Sequence, residues 1–342
     1  MKSRIIKIIV SIVAVTVIAL LIAGTVLTIN ARKLPQDAPD RASEGILPSD
    51  EQIAAAIKYD RVLIIGVDGA GGYFGNMETP NFDKMFPADK SSITYTGLSQ
   101  YPTVSAQNWG SMLHGVRYQK HFLNNDIVEK YPYTYFKYPS VFKAYAKNHK
   151  KAKFLTSCTW TPINKGIVEN MISIKKRHAV GSYPTTEGYD KSTCEEYIKA
   201  LSDRDPAIGF LQFDQVDHAG HSAGAPGTGY GDAEFQKAIS NVDELIGMLY
   251  KAYEEKGWID STMFLLVSDH GHKLEGGGHG GETIEEKNVT LAVWGAKGNI
   301  IPGTPGKYVT QDLAAIVMYG LGEKQPESWE ARVPYNIFTT LV

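Results

Sequence analysis

Three stretches of the 342-residue chain gather carboxylates and imidazoles beside glycine. Asp68-Gly69 closes one apolar run, and Asp217-His218-Ala219-Gly220-His221 follows another. Ser268-Asp269-His270-Gly271-His272 follows a third, with Gly278-His279-Gly280-Gly281 close behind. Five of the nine histidines fall between positions 218 and 279. Hard carboxylate oxygens combined with imidazole nitrogens suit Zn²⁺, and less strongly Mn²⁺ or iron. One Asp at the end of an apolar run ordinarily caps a helix or sits in a turn. Three such ends, two of them followed by His, point to a metal centre instead, and the glycines let backbone approach an ion. His218 and His272 flank the donor positions and read as supporting or rim residues, whereas His149 and His178 lie in Lys-rich stretches and need no function.

A nucleophile is the next requirement. Ser105-Ala106-Gln107-Asn108-Trp109 leads into the helical-looking Gly110-Ser111-Met112-Leu113-His114-Gly115. A hydroxyl at a helix N-terminus lies where backbone N–H groups and the helix dipole favour anions. Ser105 could equally be no more than the N-cap of that helix.

These residues need a scaffold. Apolar runs of strand length cover 62–67, 154–156, 208–213, 263–267 and 291–294, as expected for strands buried on both faces. Residues 232–256 place Phe235, Ile239, Val242, Leu245, Ile246, Leu249 and Tyr253 on one helical face, with Gly257 to end it. Strands alternating with helices imply parallel pairing and a layered α/β sheet, whose ligands gather at the carboxyl ends of the strands. The aromatic-dense stretch 131–136 could line a cleft or pack as a loop on the core.

The N-terminus carries a different signal. Lys2, Arg4 and Lys7 precede residues 8–29, which hold no charge over 22 positions. A helix needs about 20 apolar residues to cross a bilayer, and basic residues ahead of it keep that end in the cytoplasm. The expectation is a single anchor with the remaining chain outside the cytoplasm, or a secreted domain if the segment is a cleaved signal peptide. A net charge of −2 gives no reason to expect nucleic acid as a partner. Two cysteines, Cys158 and Cys194, exclude a cysteine metal site or a disulfide-dense scaffold, while leaving one disulfide open.

Taken together, the chain resembles the alkaline phosphatase superfamily, and within it the type I phosphodiesterase/nucleotide pyrophosphatase branch. Ser105-Ala106-Gln107-Asn108 with Leu113-His114-Gly115 matches that family's nucleophile segment, with His114 in place of its usual Thr. His121 with Asn124 or Asn125, Asp217 to His221, Asp269-His270-Gly271 and His279-Gly280 match further landmarks, as do Thr79-Pro80-Asn81-Phe82-Asp83 and the segment 310–322. The likeness runs from about Arg61 to Val333. It implies two divalent metal ions, Zn²⁺ foremost with Mn²⁺ the alternative. One would be held by Asp217, His221 and His279, the other by Asp68, Asp269, His270 and the Ser105 oxygen. Ser105 would attack phosphorus to give a phosphoserine intermediate, with Asn108 and the Ala106 N–H stabilising charge on a phosphoryl oxygen. His121 would orient substrate or simply pack beneath the helix. Residues 105–109 lack the Pro and Arg of a sulfatase nucleophile motif.

The resulting expectation is an α/β protein with an alkaline phosphatase-like layered fold, a mostly parallel central sheet flanked by helices, and an N-terminal transmembrane helix. Residues 1–32 form the stub and anchor, 33–58 a linker, and 59–342 the catalytic domain. The partners are a phosphate-ester substrate and the membrane. Three rivals stand beside phosphodiester hydrolysis: a phosphomonoesterase, a phospho-group transferase, and an inactive relative that binds a ligand at the cell surface. Specificity is expected from the loops 118–139 and 159–205.

Overall fold

The computed structural model of the protein describes residues 41–133, 137–221, 232–274 and 276–341. The expected N-terminal anchor and residues 134–136 of the aromatic stretch lie outside them. Among the described residues, no helix is long and apolar enough to cross a membrane.

Seven strands form one mixed sheet: β1 (Arg61–Val67), β2 (Ser92–Leu98), β3 (Phe154–Cys158), β4 (Ile174–Arg177), β5 (Ile208–Phe213), β6 (Thr262–Ser268) and β7 (Asn288–Gly295). Their order across the sheet is β2-β7-β6-β1-β5-β3-β4. The block from β6 to β4 is parallel, whereas β7 pairs antiparallel with both β6 and β2. Among the described residues, the chain between β6 and β7 holds only the short helix Ile284–Lys287 and lacks the longer helix with which parallel strands are usually joined.

The continuous apolar runs are explained by burial on both faces. In β1, Val62 and Ile64 face one core, while Leu63, Ile65 and Val67 face the other. The first core is covered by helices Ser105–His114, Val141–Asn148 and Asp312–Gly320; the second by helices Pro80–Met85, Thr186–Ala200 and Ala233–Glu255. The long helix starts at Asp232, whose side chain accepts from the Phe235 N–H, and its apolar face is buried as the spacing requires. Gly257 follows it at φ 67°.

Two strands give no apolar run. β2 is rich in Ser and Thr and lies at one edge; β4, Ile-Lys-Lys-Arg, lies at the other. The compact unit also begins earlier than the sequence suggests, at Arg41 rather than 59. Residues 41–58 are more than a spacer: Ile46 pairs with Val333 in both directions, and helix Asp50–Ala54 is closed by a reciprocal Ser49–Gln52 capping box. Cys158 and Cys194 are both buried and free, so no disulfide joins them.

One contact ties the sheet to the residues of interest. Gly66 in β1 leaves room for the Trp109 ring, since a Cβ there would lie 2.5 Å from Trp109 Cη2. Trp109 is fully buried and donates from Nε1 to Asp68 Oδ2 at 2.8 Å. Gly66→Val should therefore lower stability by about 1–3 kcal/mol, as overpacked cores do. Urea denaturation measures this, and an unchanged midpoint would show that Trp109 yields without cost.

Candidate metal centre

The three central strands β6, β1 and β5 end at the same rim, and each delivers donors there. Asp68 follows β1, Asp269 and His270 follow β6, and helix Gln215–His221 after β5 carries Asp217 and His221. His279 arrives on the loop between β6 and β7. The donor atoms of Asp68, Asp269 and His270 lie within 4.8 Å of one another, as do those of Asp217, His221 and His279. A third set, Asp217, His270 and His272, joins the two. All six donor residues expected besides Ser105 thus converge.

Hydrogen bonds aim the lone pairs inward. Asp68 Oδ2 accepts from Trp109 Nε1 and from Gln212 Nε2 at 3.0 Å, leaving Oδ1 towards Ser105. Asp269 Oδ1 accepts from the N–H groups of Gly69 and His270, whereas its buried Oδ2 has no hydrogen-bond partner. His270 Nδ1 faces the Gly271 carbonyl at 3.2 Å, so it carries the proton and Nε2 presents a lone pair. His279 does the same against the Thr103 carbonyl at 2.7 Å. Thr103 Oγ1 also donates to the Gly281 carbonyl and accepts from the Gly280 N–H, which locks this loop to the chain just before Ser105.

The electrostatics follow from burial. Asp68 is pushed well above the usual carboxylate range by burial and then by the charges of Asp269, Asp217 and Asp214. Burial likewise raises Asp269, reinforced by Asp217, and pushes Asp214 up to about 7. For Asp217, burial is outweighed by His272, His270 and His279, and its carboxyl is held below the usual range. Burial and the facing His279 lower His270, keeping it a neutral donor.

These residues fit a pair of cations. Donors about 2.0–2.2 Å from a tetrahedral zinc ion are spaced about 3.3–3.6 Å apart. Asp217 lies 3.4 Å from His221 Nε2 through Oδ2 and 3.5 Å from His279 Nε2 through Oδ1; Asp269 Oδ2 lies 3.3 Å from His270 Nε2. The two imidazoles His221 and His279 point Nε2 at Nε2 across 3.0 Å. Converging lone pairs and partnerless carboxylate oxygens leave a deficit of positive charge that a divalent cation would supply.

Ser105 is the first residue of its helix rather than its N-cap, and its hydroxyl makes no capping bond. Its Oγ lies 3.1 Å from His270 Nε2 and 3.3 Å from Asp68 Oδ1, within the first cluster. Of its two companions, Asn108 departs from expectation, whereas His121 takes the packing alternative. Asn108 is fully buried and turned away: its Oδ1 accepts from the Gln100 N–H and Thr310 Oγ1, and its Nδ2 donates to the Gln100 and Val104 carbonyls. It braces the loop that leads to Ser105 and has no donor left for substrate. His121 packs beneath the helix: Nδ1 accepts from the Leu123 N–H, so Nε2 carries the proton and faces the Gln107 carbonyl and Ser111 Oγ. Burial pushes His121 down to about 3, so it stays neutral.

The residue that takes Asn108's expected place is Asn125. Its Oδ1 accepts from the Ala106 N–H at 3.1 Å, fixing a side-chain amide beside the nucleophile, while Asn124 caps the next helix through Ile127 N–H. That bond also occupies the backbone donor expected to face substrate. His114 lies between the carbonyls of Tyr138 and Ile167 and is structural; His218 and His178 are exposed, and His149 stacks on Tyr145.

With this geometry in place, comparison with known proteins is informative. The family model of type I phosphodiesterase / nucleotide pyrophosphatase matches residues 62–318, three quarters of the chain. The chain belongs to this family. Murine ectonucleotide pyrophosphatase / phosphodiesterase 5 superposes with a TM-score of 0.60 at 12% identity, over 78% of this chain and 96% of its own. A lipoteichoic acid synthase from Listeria monocytogenes gives 0.60 at 13%, over 86% and 80%, and a 2-O GAG sulfatase gives 0.61 at 14%, over 79% and 72%. At such identities the likeness is one of fold, that of the alkaline phosphatase superfamily. GPI ethanolamine phosphate transferase 2 of Aspergillus fumigatus is 30% identical over 102 residues, 30% of this chain and 12% of the relative. The chain spans only a small part of that relative's length. Family membership supports chemistry on phosphoric esters, by hydrolysis or transfer.

The Thr103 tie generates a test. Thr103→Val removes the hydrogen bonds at Gly280 and Gly281 without altering a donor, and should weaken binding of added Zn²⁺ at the His279 cluster about 10-fold. Chelator competition reads this; equal affinity would show that the His279 loop holds its position unaided.

Proposed function

We propose that the chain is a metal-dependent phosphodiesterase of the nucleotide pyrophosphatase type, with Ser105 as nucleophile. The observation that carries this reading is the Ser105 hydroxyl itself. It is freed from capping, lies among Asp68, Asp269 and His270, and has the Asn125 amide fixed beside its helix. Asp217, His221 and His279 would hold one cation, and Asp68, Asp269 and His270 with Ser105 Oγ the other. Two divalent cations there would supply Lewis acidity, easing loss of the Ser105 proton and neutralising charge on the phosphoryl group.

The chain's own residues do the rest. Ser105 Oγ attacks phosphorus, and the Oγ–P bond forms as the P–O bond to the leaving alcohol or phosphate breaks. Water then attacks the phosphoserine, the Oγ–P bond breaks, and Oγ regains its proton. Asn125, oriented by its bond to the Ala106 N–H, offers its amide N–H to a phosphoryl oxygen. Zn²⁺ suits the imidazole-rich set best, with Mn²⁺ the alternative. The basic residues before the uncharged segment 8–29 support anchoring in the cell membrane with this domain outside the cytoplasm.

A second reading keeps the same first step and lets an acceptor alcohol replace water. The partial likeness to a GPI ethanolamine phosphate transferase supports it. Product analysis with added alcohol separates the two.

Hydrolysis of bis-(p-nitrophenyl) phosphate with Zn²⁺ or Mn²⁺ tests the assignment. Ser105→Ala should lower kcat by at least about 10³-fold, by analogy with lost nucleophiles elsewhere. Full activity in that variant would remove Ser105 from the mechanism. Asn125→Ala should cost about 10²-fold or more in kcat, the scale for loss of one oxyanion donor. Asn108→Ala should act chiefly on stability, seen as a lower urea midpoint with activity retained by the folded fraction.

A further inference from the structure

His272 is an imidazole that neither the family landmarks nor the seven expected donor positions require. It is fully buried, and neither ring nitrogen has a hydrogen-bond partner. A buried histidine ordinarily satisfies at least one nitrogen, because desolvating an unpaired polar group is costly. Its Nε2 instead lies 3.0 Å from Asp217 Oδ1, close yet without the alignment of a hydrogen bond, and that oxygen is itself partnerless.

The surroundings are shaped to this ring. A Cβ on Gly69, after β1, would lie 2.6 Å from His272 Nε2, and a Cβ on Gly220, in the helix after β5, would lie 2.5 Å from both Cδ2 and Nε2. Two glycines from different strand ends therefore form a slot that admits the imidazole and directs Nε2 at Asp217. The ring stands edge-on to His221 and His279, with centroids 5.2 Å from each, and 5.8 Å from His270. Its donor atom lies within 4.8 Å of those of Asp217 and His270.

We propose that His272 Nε2 is an additional metal donor, binding a cation together with Asp217 at the seam between the two clusters. His270 offers only one free nitrogen, because Nδ1 faces the Gly271 carbonyl. Asp217 offers two oxygens, Oδ2 towards His221 and Oδ1 towards His272 and His279. Asp217 is thus the residue on which an extra imidazole can be accommodated, and the slot supplies one. Three imidazoles on this side would make the centre more selective for Zn²⁺ over Mg²⁺ than carboxylate-rich sites are. The inference rests on the two-metal reading.

The test uses the full chain in lipid vesicles, labelled with ring-¹⁵N histidine and loaded with Zn²⁺. Solid-state NMR distinguishes metal-bound, protonated and free imidazole nitrogens. Four metal-bound histidines are expected, from His221, His270, His272 and His279, and His272→Gln should remove one of these signals. The same variant should hold one of its zinc ions about 10–100-fold more weakly in chelator competition. If only three metal-bound histidines appear and His272→Gln removes a protonated signal instead, His272 merely donates to Asp217 and the inference is overturned. If the wild-type chain retains no zinc and shows no metal-bound histidine, the two-metal reading falls and this inference with it. The NMR pattern is read on the wild-type chain, so a poorly folding variant does not remove the test.

Discussion

The constraint on which the site depends is the burial of several carboxylates close to one another. Asp68, Asp217 and Asp269 approach one another at the end of the sheet, with Asp214 beside them, and burial strengthens every unfavourable pairing. Such a cluster survives folding only if protons or cations neutralise part of it. The surrounding donors carry no charge: Trp109 and Gln212 share Asp68 Oδ2, Ser105 Oγ reaches Asp68 Oδ1, and the N–H groups of Gly69 and His270 share Asp269 Oδ1. Burial lowers His270 and His279, which disfavours their charged forms. The domain is therefore built around a charge deficit, and under the two-metal proposal its stability would be linked to the cations that fill it.

The scaffold that tolerates this deficit is the central block β6-β1-β5. Each strand contributes an apolar stretch buried on both faces and then, one residue past its end, a polar group at the common rim. Further support comes from the helix after β5. Buried Asp190 accepts from the N–H groups of Asp214 and Gln215, which fixes the start of the helix that carries Asp217 and His221. Burial pushes Asp190 up to about 6. Asp190 thus acts on the site through the helix it anchors.

Much of this was legible in the sequence, for a physical reason. Strands buried on both faces read as continuous apolar runs, so β1, β5 and β6 declare themselves and with them the Asp and His residues at their ends. The edge strands do not. β2 is half polar and β4 mostly basic, because an edge needs no second apolar face. The direction of β7 is not carried by the strand's own residues, which form an apolar run like those of the parallel strands. Asn108 and His121 were read from their spacing to Ser105 and Gly115, and spacing does not report which way a side chain turns. Asn108 is claimed by Gln100 and Thr310, the latter 202 positions away. Asn124 and Asn125 were adjacent candidates, separated only by which amide meets the Ala106 N–H.

Four of the donor-type side chains, Asp269, His270, His272 and His279, lie on one continuous loop between two neighbouring antiparallel strands. Its far end is pinned by Glu286, which accepts from the N–H groups of Gly281 and Thr283. The loop is held at its near end by the Gly71 N–H, which donates to the His270 carbonyl, and further along by Thr103. On the two-metal proposal, exchanging that single stretch between relatives would change ion preference and turnover together while leaving both hydrophobic layers untouched.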